Sequence, residues 1–94
     1  MIKMAFSSET KESCRKAIKK ACKKNSVLRD ILEKKMKQIL RDPSHYKPLM
    51  HDLAGERRVH ILKSFVLVFE INYTEEKVIF LRYGHHNEIY ERRG

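Results

Sequence analysis

The hydrophobic period of this chain changes once, between Pro43 and Arg57, and that change limits the available folds more than any single residue does. Before it, Cys14, Ala17, Ile18, Ala21 and Cys22 recur at i, i+3, i+4, i+7 and i+8, which places them on one stripe of a helix. Asn25 and Ser26 interrupt the stripe. Val27, Leu28, Ile31, Leu32, Met36, Ile39 and Leu40 then trace a second helix that stops ahead of Asp42 and Pro43. A joint this short makes the two helices an antiparallel hairpin. Upstream, the apolar run Ile2 to Phe6 predicts a first strand, with Ser7 and Ser8 as the helix N-cap and Glu9 in the first turn.

After the change the pattern is that of strands. Arg57 to Leu62 alternates, with Val59 and Ile61 on one face and Arg58, His60 and Leu62 on the other. Phe65 to Ile71 and Val78 to Leu81 are apolar on both faces except at Glu70, as in central strands. Ser64 predicts one turn and the polar stretch Asn72 to Lys77 another. The expected fold class is α+β: an N-terminal strand, a two-helix hairpin and an antiparallel sheet of about four strands, with helices on one face. The other face would carry Arg58, His60 and Arg82. At 94 residues the expectation is a single domain spanning 1–94. The excess of sheet apolar residues implies that a partner segment, or C-terminal residues such as Ile89, shields part of the second face.

Charge divides as sharply as period. Residues 1–47 hold 14 basic and 5 acidic residues, and residues 48–94 hold 7 of each, so the whole net charge of +9 lies in the first half. Between Lys11 and Lys24 stand seven basic residues and only Glu12. Such a field suits a polyanion, either nucleic-acid phosphate or an acidic protein segment. Cys14 and Cys22 lie eight residues apart, about 12 Å along one helix, beyond the roughly 7 Å that a disulfide spans. Reduced thiols point to a cytoplasmic location. No window approaches the ~18 apolar residues of a membrane span, and Met1 to Phe6 is too short for a signal-peptide core.

Zinc spacings, a Gly-x-Ser-x-Gly elbow and a Gly-rich phosphate loop are all missing from the sequence, which argues against common hydrolase and NTPase chemistry. No metal or other cofactor is expected. What remains is a set of proton-transfer and charge-stabilising groups: His51, His60, Arg82, His86 and Tyr90. Imidazole titrates near neutrality, and a guanidinium can stabilise a phosphate that gains charge on attack. That combination suits metal-free RNA cleavage by an adjacent 2′-hydroxyl.

The segments Lys47-Pro48-Leu49-Met50-His51-Asp52-Leu53-Ala54-Gly55, Arg58-Val59-His60-Ile61 and Phe80-Leu81-Arg82-Tyr83-Gly84-His85-His86-Asn87-Glu88-Ile89-Tyr90 together resemble the RelE/ParE superfamily of toxin-antitoxin toxins. Within it they look most like the YafQ-like branch of RelE-type mRNA interferases. The resemblance implies a RelE-like fold and catalytic roles for His51, His60 and His86, with Arg82 and Tyr90 matching the arginine and closing aromatic of the terminal motif. Tyrosine at 90 looks more like RelE itself. The branch has an acidic residue just after the second histidine, where this chain has Ser64. His45 and His85 match no family position and stand as internal controls.

The resemblance therefore implies a type II toxin that enters the ribosomal A site, cleaves mRNA as an endoribonuclease, and is held inactive in a hetero-oligomer with a cognate, RelB-like antitoxin. Lys16, Lys19, Lys20, Lys23 and Lys24, with Arg57 and Arg58, are the expected RNA-binding residues, and no membrane partner is expected. Two other readings stay open: a ParE-like, non-enzymatic inhibitor of gyrase, and a small basic RNA-binding protein.

Overall fold

The computed structural model describes residues 5–46 and 55–91. His51, and most of the segment around it, lies outside them. The chain runs β1 (Ser7–Thr10), α1 (Glu12–Cys22), α2 (Ser26–Arg41), a 3-10 turn (Pro43–His45), β2 (Glu56–Ile61), β3 (Phe65–Asn72), β4 (Lys77–His85) and α3 (His86–Glu91). The strands form one sheet in the order β1-β4-β3-β2. The fold is α+β, as expected, but the sheet is mixed: β2, β3 and β4 are antiparallel neighbours and β1 runs parallel to β4. The helical hairpin separates β1 from the meander and supplies the long connection that parallel pairing needs.

The first strand falls later than the apolar run suggests. Ser7–Thr10, not Ile2–Phe6, pairs with β4, and its ends are fixed by Ser7 N–H donating to the Glu76 carbonyl at 3.0 Å and Lys11 N–H to the Phe80 carbonyl at 2.9 Å. An edge strand with mostly exposed side chains gains its place through backbone bonding, which leaves no hydrophobic signature. Ser7 and Ser8 are consequently strand residues and not a helix cap. Helix α1 starts at Glu12 behind Lys11, which makes no side-chain cap bond. Glu12 occupies the acid-favouring first turn and pairs with Arg15 at 2.7 Å. The second helix does carry a cap at the expected break, where the Asn25 side chain accepts from Leu28 N–H at 3.0 Å.

Both helices cover one sheet face. Cys14, Leu28, Leu32 and Ile39 pack on Ile61, Leu67, Phe69, Val78, Phe80 and Tyr83. The opposite face is covered locally by α3, whose Ile89 packs on Val66 and Val68 with Leu81 beside them. That is the C-terminal cover that the apolar excess of the sheet demanded. Strand β2 ends at Ile61; Leu62 leaves the strand with φ 59° and sits exposed in the turn to β3.

Truncating the α2 cap tests this account of the hairpin. Asn25→Ala is expected to cost about 1 kcal/mol, lowering Tm by roughly 4–8 °C in a chain of this size, as read by thermal melting.

Candidate functional site

Register places Arg58, His60 and Arg82 on the sheet face away from α1 and α2. Three rows cross it: His60, Val66 and Gly84; Arg58, Val68 and Arg82; Glu56, Glu70 and Ile79. Strict alternation from buried Phe80 would have turned Arg82 toward the helices. A β-bulge prevents this. Phe80 opposes Phe69 and Arg82 opposes Val68, leaving Leu81 as the extra residue. One inserted residue reverses the facing of the strand beyond it, so Arg82 emerges on the same face and in the same row as Arg58, with Val68 between them.

Arg82 does not stand free. Its Nη2 donates to Glu56 Oε1 at 2.5 Å, with the arginine side chain 36% and the glutamate 19% exposed. Glu56 belongs to the row on the side of Arg82 away from His60, so this bond draws the guanidinium from the histidine end of the sheet. Glu56 is a site residue that the motifs do not single out, although Glu56, Arg58 and His60 at alternate positions of one strand share a face.

His86 opens α3, and its N–H donates to the Ser64 carbonyl at 2.8 Å, tying the helix start to the turn after β2. Its ring stacks on His85, centroids 4.8 Å apart and 24° between planes, while His85 meets Phe65 edge-on and accepts from Asn87 N–H at 3.2 Å. His60 is exposed near the same end of the sheet. Tyr90 falls in α3, and its side chain, like all of His51, is outside the described part. The structure thus brings Arg58, His60 and Arg82 onto one face with His86 at its end. Neither histidine chosen as a control is remote: His85 supports His86, and His45 shares a groove with Arg58 and His60.

The basic residues separate into two groups. Arg57, on the helix-covered side of β2, donates to the Tyr46 carbonyl at 2.6 Å and so braces the chain after α2. Lys16, Lys19, Lys20 and Lys23 line a groove between α1 and α2 together with Ile18, Cys22, Leu32 and Met36, and Arg29 joins them from α2. Lys24 is exposed just beyond α1. Five of the fourteen basic residues of the first half thus border one apolar strip, with Glu33 as the acid among them.

Cys14 is buried, and desolvation pushes its thiol up to about 11 against an opposing pull from the Arg82 charge. Burial also raises Cys22. Among the described residues, no three His, Cys, Asp or Glu side chains cluster as metal ligands, and no helix is long and apolar enough to cross a membrane.

Over residues 5–90 the sequence matches the family described as the ParE toxin of type II toxin-antitoxin systems, parDE. The chain belongs to this toxin family. It is 40% identical over 85 residues, 90% of each chain, to a Methanocaldococcus jannaschii protein that carries the toxin name RelE4. Its fold is that of the RelE/ParE superfamily: one chain of the RelBE2 toxin-antitoxin complex of Mycobacterium tuberculosis aligns with a TM-score of 0.73 at 21% identity over 89% of this chain and 94% of that chain. Escherichia coli YafQ aligns at 0.70 and 19% identity, covering 90% and 98%.

The raised thiol of this toxin has a direct chemical consequence. At pH 8 only about one Cys14 in a thousand is ionised, so native Cys14 is expected to resist iodoacetamide and to react fully after denaturation, as followed by mass spectrometry. Fast native labelling at Cys14 would contradict its burial.

Proposed function

We propose that this toxin is a ribosome-dependent endoribonuclease that cleaves mRNA by general acid-base catalysis. The observation that carries the reading is the convergence of Arg58, His60 and Arg82 on one solvent-facing sheet face with His86 at its end. In this scheme the 2′-hydroxyl attacks the neighbouring phosphorus, the bond to the 5′-oxygen breaks, and the products end in 2′,3′-cyclic phosphate and 5′-hydroxyl. Imidazoles remove and return the protons, with His86 ranked first, His60 second and His51 third. Arg82 leaves Glu56 to meet the non-bridging oxygens, where charge builds up. Tyr90 joins them by family resemblance alone.

The lysines of α1 lie apart from this face, and their role in the scheme is docking on ribosomal RNA. A cognate antitoxin, RelB-like and acidic, holds the toxin inactive in a hetero-oligomer. Support for that partner comes from the matched toxin-antitoxin family and from the M. tuberculosis complex of the same fold. The ParE name of the matched family favours a second reading, a non-enzymatic inhibitor of gyrase.

One assay separates them. Purified toxin added to translating ribosomes with a defined message, in EDTA-treated and magnesium-restored buffer, is expected to cut the mRNA. His86→Ala and Arg82→Ala are each expected to slow cutting by about 100- to 10,000-fold, whereas Tyr73→Ser, in the exposed turn at the other end of the sheet, stays active. Intact mRNA with trapped gyrase would establish the second reading, and a 3′-hydroxyl product would rule out this chemistry.

Replacing Lys16, Lys19, Lys20 and Lys23 together by Gln is expected to weaken ribosome binding and flatten its dependence on salt, since fewer counterions are released. Unchanged affinity across a salt titration would remove α1 from the docking surface.

A further inference from the structure

A groove of about 610 Å³ follows the outer edge of β2, lined by His45 and Tyr46 from the turn after α2 and by Arg58, Val59 and His60 from the strand. β2 is the last strand of the sheet, so this edge has no strand neighbour among the described residues. The facing wall is held in place from beneath. Arg57 bonds the Tyr46 carbonyl at 2.6 Å, and the Tyr46 ring packs at 84° on buried Phe69, centroids 6.0 Å apart. Tyr46 in turn meets the His45 ring at 86° and 5.1 Å. His45 itself is exposed.

These groups fit one class of ligand. A braced pair of flat rings offers a stacking surface for a nucleobase, a guanidinium offers a fork of donors to phosphate, and unstacked bases of single-stranded RNA are recognised in this way. The volume falls within the ~300–1,000 Å³ of pockets that take small ligands. A peptide strand added to β2 would instead use the backbone of the edge and would leave the rings and the guanidinium without a task.

We propose that this groove is a subsite for one nucleotide of single-stranded RNA, its base stacked on His45 beside Tyr46 and its phosphate paired with Arg58. The inference rests on the ribonuclease reading and deepens it, because the subsite seats a nucleotide next to His60 and so fixes the register of the strand across the catalytic face. His45 is a binding residue in this arrangement and takes no part in proton transfer.

The test uses the intact toxin and a hexanucleotide RNA with 2′-O-methyl riboses, which cannot be cleaved. Titration is expected to shift the His45 ring resonance in NMR. His45→Ala is expected to weaken binding by roughly 5- to 150-fold, the value of one stacked base, and His45→Phe to restore it to within about threefold. The Tm of His45→Ala is expected to match that of the wild type, because the position is exposed. Wild-type affinity in His45→Ala, or binding without any shift at His45, overturns the subsite. If the toxin fails to cut mRNA on the ribosome but the His45 shift and the alanine loss persist, the subsite stands and the ribonuclease reading falls. If His45→Ala both binds the hexanucleotide and cuts mRNA as the wild type does, the subsite falls and the ribonuclease reading stands.

Discussion

Four consecutive residues of β3, Val66 to Phe69, are 0% exposed, and the rest of the molecule answers to that burial. A strand covered on both faces needs two separate covers. The helical hairpin supplies the first over Leu67 and Phe69, and α3 the second through Ile89 over Val66 and Val68. The second cover is narrow and must come close. A Cβ on Gly84 would stand 3.0 Å from Glu88 Oε1 and 3.6 Å from Ile89 Cδ1, so the bare backbone at this position makes room for α3. Covering β3 therefore also sets where α3 begins, and with it where His86 sits.

The bulge at Leu81 is the second device on which the site depends. The first half of β4 serves the core through Val78 and Phe80, while the second half must present Arg82 to solvent and still return Tyr83 to the core. No unbroken alternation satisfies both. The extra residue resolves the conflict at the cost of one irregular step in the ladder, and the apolar side chain of Leu81 joins the small cluster under α3.

These two devices also mark how far the sequence could be read. Helical stripes and two-sided apolar strands are burial patterns, and the hairpin, β2, β3 and β4 were legible because their side chains are sorted by water. β1 was not, since Ser7–Thr10 is held by backbone bonds whose donors and acceptors every residue carries. The outward facing of Arg82 was anticipated without its cause, because a bulge is a register relation with β3 and has no local pattern. Glu56 and His45 escaped for a related reason. Glu56 has meaning only beside Arg82, 26 residues on, and His45 reaches His60 through a tertiary fold-back that spacing along the chain does not announce.

On the ribonuclease reading, the bond between Glu56 and Arg82 gives the catalytic face its resting state. An arginine placed to stabilise a transition state would otherwise carry an unpaired charge on a partly desolvated sheet, and Glu56 satisfies it. The pair is open enough to water that its net worth is at most about 1 kcal/mol. A phosphate, which accepts a guanidinium fork through two oxygens, competes with a single carboxylate oxygen on good terms. Leaving has its own cost, since Glu56 lies directly across from Glu70 and the two carboxylates would then face each other without the cation. Arg82 occupies the middle row, with the carboxylates on one side and the histidine row on the other. On the ribonuclease reading that position calls for only a short swing from one anion to the next, and the acidic row that pairs Arg82 at rest would oppose its transfer to a weakly bound phosphate.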